Sequence, residues 1–209
     1  ASRDFHKPVR RSPDSFDRNF AADDPAEASR VAHATASALL SRVREQPHDE
    51  VIDRLVTFTD AHGIATIAEL WAHSPARSLP GALWRLYLLQ LMIHDDPTTA
   101  ALLYERGRTR LSSADVVIAG APAPASPDEL VSLIDLILRG VFAGDFALAL
   151  ERAASFSRVV SAGATDLADD YDESEPVRAS AFTTRALRLD TYASDLAAAA
   201  ALWRRDGLT

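Results

Sequence analysis

Glu69 and His73 are four residues apart, and His94 is followed directly by Asp95 and Asp96. A histidine and a carboxylate four residues apart on a helix share one face and can share one metal ion, and those beside His94 stand close in the chain. These five side chains are the metal candidates of the chain. A di-metal site in a helical bundle asks for more: two Glu-x-x-His units and two further glutamates on facing helices. The sequence holds one such unit, Glu45 to His48, and Pro47 interrupts its turn. Helix-end histidines meeting the C-terminal dipole and solvent account for the rest, so no metal and no cofactor is expected.

Other chemistries lack their parts. With no cysteine there is no thiolate nucleophile, no disulfide and no sulfur-based metal site. The eight glycines never cluster into a phosphate loop or a dinucleotide fingerprint, and no Gly-x-Ser-x-Gly elbow occurs. Gly140-x-x-x-Gly144 reads as a helix cap followed by a turn. An enzyme remains an open alternative only as a site assembled from residues distant in sequence, for which Glu69, His73, His94, Asp95 and Asp96 are the starting points.

Two charged segments could bind something. Residues 1–22 carry Arg3, Lys7, Arg10, Arg11 and Arg18 against Asp4, Asp14 and Asp17, with two prolines and no periodicity, and read as an irregular basic and polar arm anchored by Phe5, Phe16 and Phe20. Residues 166–175 hold six acids and no base, without the glycine and spacing of a calcium loop, and read as a solvated acidic loop. Arg10 and Arg11 could dock on Asp169, Asp170, Asp172 and Glu173, which makes these six the candidate interaction residues.

The stretch 51–94 has the rhythm of a helix-turn-helix, with Leu79 onward in the place of a recognition helix. A DNA-reading helix needs polar and basic side chains to reach bases and phosphates. Residues 82–93 offer Arg85 and Gln90 alone, so packed core helices are the preferred reading and a DNA-binding regulator the alternative.

The elements behind these residues are helical. Asp24-Pro25-Ala26-Glu27 and Ser126-Pro127-Asp128-Glu129 each set a capping acceptor, a proline and a glutamate in register; Asp96-Pro97, Ser78 with Pro80, and Asp145 mark further starts. Apolar residues recur at helical intervals, as in Val31, Ala34, Ala38 and Val51, Leu55, Phe58. The single β-like patch, residues 115–119, is too short to make a sheet. The pattern predicts helices near 24–46, 48–62, 65–73, 79–94, 97–108, 127–141, 145–162 and one or two across 177–206. That is an all-α, single-domain antiparallel bundle of seven to nine helices over residues 23–209. Helix 79–94 is apolar nearly all round and is expected at the centre with Trp84 in the core; Leu187, Tyr192, Leu196, Leu202 and Trp203 should face inward from the last helix.

Residues 130–160, with Gly144-Asp145-Phe146 and Ala149-Leu150, resemble one helical hairpin of the tetratricopeptide type, but no second copy follows at 34 residues and the aromatic and proline positions of that family are missing. Leu79-Pro80-Gly81-Ala82-Leu83-Trp84-Arg85-Leu86-Tyr87-Leu88-Leu89 resembles uncharacterised all-helical proteins of actinobacteria. That resemblance implies a helical fold and carries no activity.

A net charge of −8 opposes phosphate backbones and anionic membranes, so nucleic acid is an unexpected partner. Among the basic residues 21 are arginine and one, Lys7, is lysine, which with the abundant alanine has the look of a GC-rich bacterial genome. No apolar run is long enough to span a membrane, and the first 22 residues hold no signal-peptide core, which predicts a cytoplasmic protein. The function that remains is a non-enzymatic helical interaction or regulatory protein whose partner is another protein, itself included.

Overall fold

A computed structural model describes residues 25–41, 63–113 and 125–208. Within them the chain is 82% helical and contains no strand, so the all-α class stands. The described residues form seven helices: α1 Pro25–Ser41, α2 Ile64–Trp71, α3 Leu79–Asp95, α4 Pro97–Ser113, α5 Pro127–Leu138, α6 Phe146–Tyr171 and α7 Pro176–Trp203. No helix among the described residues is long and apolar enough to cross a membrane. The basic arm, the helix expected at 48–62 and the β-like patch at 115–119 lie outside the described residues.

The boundary signals act as the sequence requires. The Ser78 hydroxyl accepts from the Gly81 backbone N–H at 3.2 Å, Asp96 from Thr99 at 3.0 Å, and Asp145 from Ala147 at 2.9 Å and Leu148 at 3.2 Å. Ser126 and Glu129 form a reciprocal capping box, each side chain accepting from the other's backbone N–H. Such caps satisfy orphan N–H groups and are each worth about 1 kcal/mol. Gly140 ends α5 with φ +65°, a left-handed conformation that a side chain would oppose, while its N–H donates to the Ile137 carbonyl.

α3 is central, touching α1, α2, α4, α5 and α7. Leu79, Leu83, Leu86, Leu89 and Ile93 are buried on it, but Trp84 is only half-buried and Leu91 is exposed. The expectation that Trp84 sits in the core is therefore corrected. An apolar helix cannot bury every side at once when its neighbours cover only part of its circumference. The fully buried tryptophan is Trp71 of α2, whose indole N–H donates to the Thr35 hydroxyl of α1 at 3.1 Å. On α1 itself the inward stripe is Ala32, Ala36 and Leu39, while Val31 is exposed.

α6 and α7 form a long antiparallel hairpin, joined by residues 172–175 and packed along alanines such as Ala153, Ala164, Ala186 and Ala193. The Ser161 hydroxyl bridges the pair by donating to the Ala186 carbonyl at 2.8 Å. α6 continues nine residues past the end predicted at 162, so Asp166, Asp169 and Asp170 are helical rather than part of a loop. Leu196 faces inward on α7, and Tyr192, Leu202 and Trp203 pack half-buried against the core. Leu187, expected inside, is 67% exposed because no described helix covers that side of α7.

Where α4 meets α6 the backbones touch. A Cβ on Gly163 would come within 1.8 Å of the Leu103 carbonyl oxygen, and one on Gly107 within 1.8 Å of that of Val159. Each glycine makes room for the other helix's main chain, an approach that any side chain would block.

Candidate functional site

The metal candidates do not converge. Glu69 is exposed on α2, and His73 is exposed just beyond its end. His94, Asp95 and Asp96 are exposed at the junction of α3 and α4. Hydrogen bonds from Thr99, side chain first and backbone second, hold the Asp96 carboxyl below the ordinary aspartate range while it caps α4 through Oδ1. No group of three or more His, Cys, Asp or Glu side chains gathers among the described residues.

The two polar side chains that a DNA-reading α3 would present turn into the fold instead. The Arg85 guanidinium grips Asp195 of α7, with Nε at 3.0 Å and Nη2 at 2.8 Å from Oδ2; Nη1 donates to the Gly81 carbonyl at 3.0 Å, and the group lies 5.9 Å from the Tyr192 ring centre. Both side chains of this pair are largely covered, at 14% and 13% exposure. Gln90 donates its amide to Asp135 of α5. In this arrangement neither is offered to a base edge.

Of the candidate interaction residues, Arg10 and Arg11 lie outside the described residues. Asp169 and Asp170 are held by α4: Arg110 reaches Asp169 at 2.9 Å and Asp166 at 3.6 Å, and Arg106 reaches Asp166 at 3.0 Å and Asp170 at 2.6 Å. Arg106 and Arg110 are one turn apart, as are Asp166 and Asp169 or Asp170, so two helical faces of opposite sign meet. This spacing was the signal available in the sequence for the contact. Asp172 and Glu173 stay exposed in the turn before α7.

The feature that sequence reasoning missed is a groove of about 540 Å³ between the C-terminal half of α3 and α7. Leu88, Leu91 and Met92 line one wall and Leu189 and Tyr192 the other. Asp95 and Asp96 stand on the α3 rim; Arg185 and Arg188 stand on the α7 rim. It continues on α3 as a half-covered apolar stripe: Trp84, Tyr87 and Leu88 are half-buried and Leu91 is 40% exposed. The Trp84 and Tyr87 rings lie 5.6 Å apart. Positions 84, 87, 88 and 91 follow the i, i+3, i+4, i+7 pattern by which helices receive other helices. Val177, at the start of α7, is 86% exposed.

Chemically, the groove has an apolar floor and charged edges but no buried acid, base or nucleophile among its lining residues. Such a surface binds by burying apolar area and by opposing charge. No family model, no curated protein and no solved structure matches the chain.

Proposed function

We propose that the protein is a non-enzymatic helical interaction module of the cytoplasm that docks a polypeptide along the α3–α7 groove. The observation carrying this reading is the apolar stripe of Trp84, Tyr87, Leu88 and Leu91, left half-covered beside an open groove on a helix whose other face is buried in the core. Aromatic and large aliphatic side chains flanked by charge are the composition from which interface centres are built. The resident ion pairs support the same reading, because Arg85 with Asp195 fixes α3 against α7 and holds the groove walls in place without a ligand.

A photo-crosslinking amino acid placed at Leu91 tests it, with the same probe at Leu148 as the control, since Leu148 is equally exposed at the start of α6. The expected result is a discrete covalent adduct from Leu91 in cells, absent from Leu148 and lost when Leu88 is replaced by Asp in the probe-bearing chain. Equal labelling from both positions would remove the basis of the proposal.

A further inference from the structure

The charges around the groove are arranged to match themselves. The α3 rim is acidic at Asp95 and Asp96 and the α7 rim is basic at Arg185 and Arg188, with the apolar floor between them. Consider a two-fold axis running along the groove. It lays α3 of one copy over α7 of the other at the same height, and α7 over α3 in return. The acidic rim of each copy then faces the basic rim of its partner, and Leu91 enters the partner's groove. A rim of one sign could not do this, because a two-fold contact sets the same patch against itself. Asp95 and Arg188 form no ion pair among the described residues, so both are available for a partner. Leu91, 40% exposed in the groove, supplies apolar surface for that contact.

We infer that the occupant of the α3–α7 groove is a second copy of this chain, forming a two-fold dimer in which Asp95 and Asp96 of each copy face Arg185 and Arg188 of the other; this rests on the docking role proposed above.

Sedimentation equilibrium of the full chain across a concentration series tests it. The unmodified protein should fit a monomer–dimer equilibrium. Leu91→Asp should yield a monomer with an unchanged circular dichroism spectrum, since the residue is exposed and its loss leaves the fold intact. Asp95→Arg alone and Arg188→Asp alone should each weaken association tenfold or more by setting like charges opposite one another. The double variant Asp95→Arg with Arg188→Asp should restore it. A protein that stays monomeric at every concentration, or a dimer indifferent to Leu91→Asp and to both charge reversals, overturns the inference. The Leu91 crosslink separates the two ideas. An adduct of twice the chain mass supports both, and an adduct with a different protein keeps the docking role while refuting the second copy. No specific adduct removes the docking role as well.

Discussion

The two long helices α6 and α7 are each flanked by a further helix, and the two flanks are built differently. On the α6 side, α4 approaches to backbone contact through Gly107 and Gly163, and the seam beside it is closed by Arg106 and Arg110 on three aspartates. On the α7 side, α3 is tied by one covered ion pair, Arg85 to Asp195, and then diverges to leave a groove with an apolar floor. The first flank spends its polar groups and its shape on itself. The second keeps a hydrophobic surface and charges in reserve.

The sharpest way to break the comparison is at the glycine crossing. Gly163→Ala should destabilise by about 3 kcal/mol, the upper end for overpacking, because the added methyl meets a main-chain oxygen that cannot rotate away. The gain in helix propensity from replacing glycine, about 1 kcal/mol, offsets only part of this. Urea unfolding measures it, and a neutral or stabilising result would mean that the helices are further apart than described.

On the other flank, Asp195→Asn should cost about 2 kcal/mol, below the 3–5 kcal/mol of a fully buried pair because both side chains keep some exposure. Combining it with Arg85→Met should recover part of the loss, since the stranded charge is then gone as well. If the double variant is less stable than either single one, each side chain stabilises the fold independently of the pairing.

Trp84→Ala should cost about 1–2 kcal/mol, well under the 3–5 kcal/mol expected for the buried Trp71→Ala, because Trp84 already leaves part of its ring in water. Equal losses at the two tryptophans would place Trp84 in the core and close the stripe that defines the groove.

How far these contrasts could be read from sequence depends on the range of the interaction. Ser78, Asp96, Ser126 with Glu129, Asp145 and Gly140 mark helix ends through contacts within four residues, so their meaning was legible in order. The acidic run at 166–175 reads as a loop because its charges have no local partner; the arginines that pair with its helical part, Asp166 to Asp170, stand about sixty residues earlier. Trp84 and Leu187 read as interior residues because an apolar side chain states a preference for burial without naming the helix that would cover it. The groove was invisible for the same reason, since its walls are roughly a hundred residues apart in the chain.

Arg110→Ala should change stability by less than about 1 kcal/mol, because the group is 39% exposed and Arg106 remains on Asp166. What loss there is should shrink further in high salt. A large loss would show that the arginines hold α4 in place and that the glycines merely permit it.

The smallest effect is a slope. A hydrogen bond from Arg204 holds the Glu151 carboxyl below its ordinary range. A lowered folded-state value means that its contribution is complete above the unfolded glutamate value of about 4.3 and is lost as pH falls from there through the folded value. Urea midpoints taken from about pH 6 downward should decline less steeply for Glu151→Gln than for the unmodified chain. Parallel curves would show that the pair on the outer end of the hairpin adds nothing to acid stability.

The glycine crossing also decides how the molecule can move. Two helices separated by side chains can ratchet past one another by exchanging one rotamer set for the next, at small cost per step. Gly107 and Gly163 instead act as a pair of notches, each seated on the other strut's main chain. A shift of one turn, about 5.4 Å, would carry a residue with a side chain into each notch and jam it. Sliding is therefore blocked along that seam, and α4 can leave α6 only by lifting away. The α6–α7 hairpin thus has a fixed rail on one flank, where α4 can neither slide nor rotate past α6 without meeting main chain.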